Sequence, residues 1–347
     1  MAIVGGFDVH RAQITFDYLD TDSGEITTGQ IRPAARQELR GRLSWFNGRH
    51  DVAFTVVGCT GWRFVVEELV RAGVEPHLAE PADTAVQRGR KKRAKTDRAD
   101  ARLLRELLTH KRLPESWVPP RHVLEARTLD RVYVALLAER IGWQQRIHAQ
   151  LFHQGAPSIT GLLTADGQAA LAQAELSPAS RQVVDTALTA IAALNGQLLS
   201  LRAQLQRIGA SQPVVRALTE HYGIGLLSGT IIWAELGDCR RFSNSDQVVR
   251  FAGLDVTVWA SDSKRSPGRL ARQGSPELRW ALFEAAKSAA RSTSPDHDYY
   301  AITKSRLDGK LATLSVARKL ARRCYHTLRE LGDEPWQEPS AARQEAA

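Results

Sequence analysis

Cysteine is scarce in this 347-residue chain: Cys59, Cys239 and Cys324 stand far apart in sequence. That excludes a disulfide framework and a Cys-rich zinc site. No apolar run approaches about 18 residues, so no membrane span is expected. The first residues, Met-Ala-Ile-Val-Gly-Gly-Phe-Asp, bring an early acid and no basic segment, unlike a signal peptide. A cytoplasmic protein, neither secreted nor membrane-embedded, is the expectation. Neither a Walker A lysine loop nor a Gly-x-Gly-x-x-Gly fingerprint occurs, which leaves the two common nucleotide-binding classes without support. Acidic residues are outnumbered, 38 against 47 Lys and Arg, giving a net charge of +9.

With 43% hydrophobic and 24% charged residues the chain can bury sizeable cores, which excludes a disordered or fibrous class. The basic excess points to a polyanion, and nucleic acid is the commonest one. Its distribution is more informative than its total. Residues 264–323 hold 14 Lys and Arg against 5 Asp and Glu, a local excess equal to that of the whole chain. A second cluster comprises Arg88, Arg90, Lys91, Lys92, Arg93, Lys95 and Arg98, with Asp97 the one acid inside it. Two such concentrations suit phosphate contacts.

The first 110 residues alternate strand and helix signals. Ile3–His10 and Gln13–Leu19 are short runs rich in β-branched and aromatic residues, joined by a tight connection. Further strands are expected at Ile26–Ile31, Asp51–Val57 and Val74–Leu78, with helices at Pro33–Phe46, Gly61–Ala72 and Thr96–His110. Hairpin strands followed by strand-helix alternation predict a mixed sheet flanked by helices, the pattern of an RNase H-like fold. Pro114, Pro119 and Pro120 then break the chain. Long helices are expected at about His122–His153 and Pro178–Ile208. In the second, Val184, Leu188, Ile191, Leu194, Leu198, Leu201, Leu205 and Ile208 form a heptad-like seam that suits either a coiled coil or an ordinary bundle helix. The expected organisation is α/β plus α: an RNase H/RuvC-like domain (1–118), long, coiled-coil-like helices (119–212), a mostly helical C-terminal domain (213–330) and a polar, disordered tail (331–347).

Asp8 sits mid-strand in Gly-Gly-Phe-Asp-Val-His, where a carboxylate is costly unless paired or bound to metal. In Lys95-Thr96-Asp97-Arg98-Ala99-Asp100-Ala101 two acids three apart share one helix face behind a plausible Thr96 N-cap. Acids in a first helical turn are ordinary capping chemistry. Acids that directly follow a basic cluster also suit a two-metal phosphodiester site. His10, His77, His110, His122, His148 and His153 show no metal-ligand spacing, and most read as solvated or structural. Trp62, Trp233 and Trp280 read as core residues.

Gly-Phe-Asp-Val-His, Thr60-Gly61-Trp62 after a strand, and Lys-Thr-Asp-Arg-Ala-Asp-Ala together resemble the RuvC-like domain of the IS one-ten family of transposases, DEDD-type recombinases of bacterial insertion sequences. The C-terminal part resembles the same family through Gly223-Ile224-Gly225, Ala234-Glu235-Leu236-Gly237-Asp238, Arg241-Phe242-Ser243, Phe251-Ala252-Gly253-Leu254, Ala260-Ser261-Asp262-Ser263-Lys264-Arg265, Leu270-Ala271-Arg272-Gln273-Gly274-Ser275-Pro276 and Leu278-Arg279-Trp280-Ala281-Leu282. The resemblance covers about residues 3–155 and 213–300.

The resemblance implies that Asp8, Asp97 and Asp100 are three of four acids holding Mg²⁺ or Mn²⁺. The fourth, a glutamate in the family, falls on Val57, and neither Asp51 nor Glu67 is placed to replace it. It also implies a serine nucleophile, with Ser261 the best match and Ser263 its rival. Lys264, Arg265, Arg269 and Arg272 are near enough in sequence to stabilise a phosphorane. Gly223-Ile224-Gly225 resembles a helix-hairpin-helix turn, whose amides can face a phosphate. The implied partners are DNA, a structured guide RNA and further copies of the chain, as a dimer or tetramer. Two other readings fit the same residues: a nucleic-acid-binding relic impaired by Val57, and an actin-like kinase, whose first strand also opens Gly-Gly-Phe-Asp.

Overall fold

A computed structural model describes residues 2–87, 96–257, 259–261, 264–266, 268 and 270–337, with 259–261 and 264–266 described by their backbone alone. The basic cluster at 88–95, Ser263, Arg269 and the tail from 338 lie outside the described residues. The chain divides into two compact units, 1–118 and 119–347.

In the first unit, β1 (Ile3–Val9), β2 (Ile14–Asp20), β3 (Ile26–Ile31), β4 (Val52–Val57) and β5 (Glu75–Ala79) form one sheet in the order β3-β2-β1-β4-β5. β2 runs antiparallel to both β1 and β3, whereas β4 is parallel to β1 and β5. The central strand is therefore covered on both faces, which is why Ile3–Phe7 reads as a continuous buried run. Alternate side chains divide between two cores. Ile3, Phe7, Val52, Phe54 and Val56 face α1 (Arg36–Leu43) and α2 (Trp62–Arg71) through Leu39, Leu43, Val65 and Leu69. Val4 and Ala53 meet Leu108 of a helix on the opposite face. The aligned pairs are Ile3–Val52, Gly5–Phe54 and Phe7–Val56 on one face, and Val4–Ala53 and Gly6–Thr55 on the other. The Phe7 and Phe54 rings stack at 4.6 Å.

The opposite-face helix follows α3 (Pro81–Val86) and is α4 (Asp97–Thr109). Gly6 fixes how closely it approaches the sheet. A Cβ at Gly6 would lie 2.4 Å from the Ala101 carbonyl oxygen and 2.7 Å from the Leu104 Cβ. The buried ion pair of Arg105 with Asp17 of β2 ties the same helix to the sheet from its neighbouring turn. Gly6→Ala is expected to destabilise the protein by about 1–3 kcal/mol, as overpacking does, and to lift the start of α4 away from β1. A urea midpoint unchanged by this substitution would mean that α4 gives way freely.

Several expectations shift here. The helix expected from Pro33 begins at Arg36, and Ser44–Phe46 is a 3-10 turn. α3 was not anticipated: the Glu80 carboxylate caps it by accepting from the Asp83 amide at 2.6 Å, with Pro81 in its first turn.

The second unit opens with α5 (Arg121–His153), α6 (Ala165–Gln173) and α7 (Pro178–Ser211). α5 and α7 pair along their lengths. Their far end closes on a core of Ile147, Leu151, Leu162, Leu171, Val184, Ala187 and Ile191. The heptad seam of α7 narrows to Val184, Ile191, Leu198 and Leu205, seven apart and buried, and α5 of the same chain pairs with this helix. Among the described residues α7 is the one helix with a stretch long and apolar enough to cross a membrane, 18 residues of mean hydropathy 1.2, although the helix as a whole contains Arg181, Asp185, Arg202 and Arg207.

The remainder is α8 (Pro213–Thr219), α9 (Leu226–Leu236), α10 (Ser245–Phe251), a hairpin of β6 (Trp259–Ser261) and β7 (Lys264–Ser266), α11 (Pro276–Ala286), α12 (His297–Arg306) and α13 (Gly309–Glu330). Trp233 is fully buried and its indole N–H donates to the Pro335 carbonyl at 3.1 Å. Within the tail expected to be disordered, Glu334–Trp336 forms a 3-10 turn held by that bond.

Asp130 of α5 is fully buried with neither oxygen hydrogen-bonded. Burial, then the nearby Glu235 charge, pushes its carboxyl up to about 9, so it is neutral at pH 7. Arg131 is committed to Glu235 at 3.2 Å. Because the folded form holds a proton that the unfolded chain releases near pH 4, stability falls as pH rises from about 4 towards 9. Asp130→Asn is expected to flatten that decline, which at about 1.4 kcal/mol per pH unit is on the order of 5 kcal/mol between pH 5 and 9. Urea midpoints measured from pH 5 to 9 test this. Parallel pH profiles for the two proteins would show that Asp130 ionises normally in the folded state.

Candidate functional site

The period-two alternation along β1 places Asp8 on the α4 face, one step beyond Val4 and Gly6. α4 runs back along that face, so its first turn arrives beside Asp8. Thr96 caps the helix, its hydroxyl accepting from the Ala99 amide at 3.2 Å. Asp97 and Asp100 occupy that first turn, where carboxylates also oppose the positive end of the helix dipole.

The three acids are not alone. The His10 Nε2 lies 3.1 Å from Asp8 Oδ2 and 3.5 Å from Asp97 Oδ1. The ligand atoms of Asp8, His10 and Asp97 all fall within 4.8 Å of one another. Gln13 Nε2 donates to the other Asp97 oxygen at 2.9 Å, which fixes that carboxylate's rotation. Burial raises the Asp8 pKa; His10 opposes the rise, and the neighbouring charges of Asp100 and Asp97 add to it. Crowded carboxylates of this kind are relieved by a divalent cation, and the converging oxygens and nitrogen are suitable donors. Asp8, His10 and Asp100 share a cleft of about 620 Å³ with Val57, Cys59 and Thr60.

Val57 is next to Asp8. The β1–β4 pairing ends at Phe7–Val56, so the following residues on the two strands are neighbours and continue the face of Gly6 and Thr55. Its side chain brings no donor atom to the cleft. Asp51 and Glu67 are engaged elsewhere: Asp51 binds Arg49 at 3.1 Å, and Glu67 binds Arg63 at 3.0 Å and also Arg36. Cys59 turns its thiol to the Val9 carbonyl at 3.7 Å, and burial pushes its pKa up. It therefore stays a protonated thiol at neutral pH.

His10 and Gln13 were missed by the sequence reading, which tested histidines only for spacing against one another. The usable signal was local. His10 stands two residues after Asp8 at the end of a strand, where i and i+2 share a face.

The candidate serine lies in the second unit. An isolated bridge between Val256 and Leu270, with Ala271 N–H donating to the Asp255 carbonyl at 3.0 Å, clamps the base of an excursion that carries β6 and β7. Ser261 ends β6 and pairs in backbone register with Lys264 of β7 in a short hairpin. Gly274 makes the clamp possible: a Cβ there would lie 1.9 Å from the Phe251 carbonyl oxygen. Arg318 secures the same segment by donating to the Leu254 carbonyl at 2.6 Å. Arg272 is exposed, with a left-handed backbone at φ 56°. Lys264 and Arg265 lie on β7.

Gly223 sits at φ 93° between α8 and α9, and a Cβ on it would meet the Ser288 Oγ at 2.1 Å. The turn uses two of its amides internally: Ile224 N–H donates to the His221 carbonyl and Gly225 N–H to the Ser228 hydroxyl, both at 3.0 Å.

Comparison with known proteins covers both units. Residues 5–153 match the family model DEDD Tnp IS110, described as a transposase. Residues 215–301 match the model described as the Transposase IS116/IS110/IS902 family. The chain is 29% identical over 281 residues to a Sinorhizobium fredii protein named "Putative transposase y4rJ", covering 72% of this chain and 68% of that one. It is 26% identical over 136 residues to "Insertion element IS110 uncharacterized 43.6 kDa protein" of Streptomyces coelicolor, covering 39% and 33% respectively.

Proposed function

The chain belongs to the IS110 family of transposases, and we propose that it cuts and rejoins DNA with two sets of groups: Asp8, Asp97 and Asp100 in the first unit and Ser261 in the second. One observation carries this reading above the others: Asp8 of β1 meets acids of α4 some ninety residues away, Asp97 in one cluster of ligand atoms and Asp100 in the lining of one cleft. The sheet order β3-β2-β1-β4-β5, with its antiparallel then parallel strands, supports an RNase H/RuvC-like identity for that unit. Nothing in the family membership favours the kinase reading.

Asp8 and Asp97, with Asp100 lining the cleft beside Asp8, would hold Mg²⁺ or Mn²⁺. A bound divalent ion supplies charge neutralisation at the attacking and leaving oxygens of a phosphodiester. The residues themselves do the positioning. Gly6 sets the helix-sheet distance, Thr96 caps the turn that presents both helix acids, and Gln13 fixes the Asp97 carboxylate. In the second unit the Ser261 oxygen bonds to a backbone phosphorus as a phosphorus-oxygen bond to deoxyribose breaks. The released sugar hydroxyl takes a proton, and the phosphoserine link conserves the bond for rejoining. Lys264, Arg265, Arg269 and Arg272 neutralise the pentacoordinate phosphate. The sequence resemblance adds a structured guide RNA and a homo-oligomer to this proposal. Val57 beside Asp8 supports a second reading, in which metal binding is weak and the protein binds nucleic acid without efficient cleavage.

A strand-exchange assay on the DNA ends of the gene's own element, with and without a chelator, tests the proposal. Products that require Mg²⁺ or Mn²⁺ are expected, and products undiminished by chelation would overturn it. The basic cluster at 88–95 makes a separate prediction. Neutralising Arg90, Lys91, Lys92 and Arg93 should lower the slope of log affinity against log salt by roughly 3–4, at about 0.9 for each phosphate that the protein no longer neutralises. An unchanged slope would remove this cluster from the interface.

A further inference from the structure

We propose that His10 is itself a metal ligand, supplying by an imidazole nitrogen the donor that Val57 does not, and that this gives the site a preference for Mn²⁺ over Mg²⁺. The inference rests on the proposal that Asp8 and Asp97 hold the ion. It adds the identity of a further ligand and its consequence for metal choice.

The geometry carries it. His10 Nε2 faces Asp8 Oδ2 at 3.1 Å and Asp97 Oδ1 at 3.5 Å, and all three ligand atoms fall within 4.8 Å of one another. The second Asp97 oxygen is occupied by Gln13, which leaves Oδ1 turned towards His10. Across the sheet, Val57 occupies the strand end beside Asp8 with an apolar side chain. Neighbouring donors are spent: the Cys59 thiol is turned to the Val9 carbonyl, and Glu67 is held by Arg36 and Arg63. His10 side-chain exposure is 55%, so the ring can turn into the cleft without repacking a core.

Exchanging a carboxylate for an imidazole changes which ion the site favours. Mg²⁺ is a hard ion that prefers oxygen and keeps its waters. Imidazole binds first-row transition metals better than it binds Mg²⁺, and Mn²⁺, although the weakest of that series for nitrogen, is the one that also accepts carboxylates and water as Mg²⁺ does. Two or three carboxylates plus one imidazole therefore favour Mn²⁺. The competing role for His10 is that of a cation pairing with Asp8 and Asp97 until an ion displaces it. The two roles predict opposite effects of removing the ring. Losing a ligand weakens Mn²⁺ binding, whereas losing a resident cation leaves it unchanged or strengthens it.

The test uses the full chain and calorimetric titration with Mn²⁺ and Mg²⁺ for the wild type, His10→Ala, Asp8→Asn and His10→Ala/Val57→Glu. Electron spin-echo modulation from ¹⁴N on bound Mn²⁺ is read in parallel. The wild type is expected to bind Mn²⁺ at least tenfold more tightly than Mg²⁺ and to show nitrogen modulation. His10→Ala should lose at least tenfold in Mn²⁺ affinity, lose the modulation and change little towards Mg²⁺. The double variant should recover affinity for both ions without the modulation. Mn²⁺ binding by His10→Ala as tight as in the wild type, with binding abolished by Asp8→Asn, would overturn the ligand role and leave the acidic site standing. Binding unaffected by Asp8→Asn would overturn the acidic site itself, and this inference with it.

Discussion

Asp8→Asn is expected to lower strand-cleavage activity by well over a hundredfold, beyond the roughly 10–100-fold that the loss of an outer-shell partner of a metal ligand costs. Asp8 is the member of the trio fixed to the rigid central strand, half-buried, and within reach of both His10 and Asp97. The same substitution should raise the thermal midpoint of the metal-free protein. Burial and the neighbouring Asp100 and Asp97 charges raise the Asp8 pKa, so its ionised form opposes folding, increasingly as pH rises through its folded pKa. Metal-induced stabilisation should vanish in the variant. The paired signature is higher apo stability with no response to Mn²⁺, read by thermal unfolding with and without the ion. A variant less stable than the wild type in the absence of metal would show that Asp8 serves the fold by pairing with His10.

Ser261→Ala should abolish the covalent protein-DNA link and reduce strand exchange by at least about 10⁴-fold, the scale seen when a nucleophile is deleted. Its effect on folding should stay within about 0.5 kcal/mol, since Ser261 ends a three-residue strand on a hairpin clamped at its base. Denaturing electrophoresis of protein incubated with end-labelled DNA reads the adduct directly. An adduct retained by Ser261→Ala and lost by Ser263→Ala would move the nucleophile two residues along the hairpin turn.

Much of the first unit was legible because its central strands are buried on both faces and α2 and α4 are strongly periodic. The runs at Ile3–Val9, Ile14–Asp20 and Val52–Val57 needed no long-range information, and α4 announced itself through Thr96 and its apolar stripe. What escaped depended on contacts between distant residues or on elements too short for a period. β6 and β7 have three residues each, below the length at which alternation is recognisable. α6 is short and rich in alanine, with Gly167 packed against the Gly161 carbonyl. The ion pair of Asp17 with Arg105 spans 88 residues and has no local signature. Gly6 reads as a strand weakness until α4 lies against it.

The site divides along the same line. A carboxylate in an apolar strand and two acids on one helix face were visible as separate anomalies, and the register of β1 with β4 explains why Val57 falls beside them. His10 and Gln13 were not visible, because their relevance depends on where α4 starts in space. Asp130 was equally silent: on α5 it is one charge among many, and only the approach of α9 makes it a buried, protonated acid.

Everything proposed for the first unit depends on Asp8 and Asp97, with Asp100 beside them, binding the divalent ion at which DNA is cut. Anomalous diffraction from crystals of the full chain grown with Mn²⁺ decides whether they do. A manganese peak is expected between β1 and the first turn of α4, within about 2–2.6 Å of carboxylate oxygens of Asp8 and Asp97, the range for hard cations on oxygen. A fully occupied manganese site elsewhere on the chain, with no peak in this cleft, would refute the assignment.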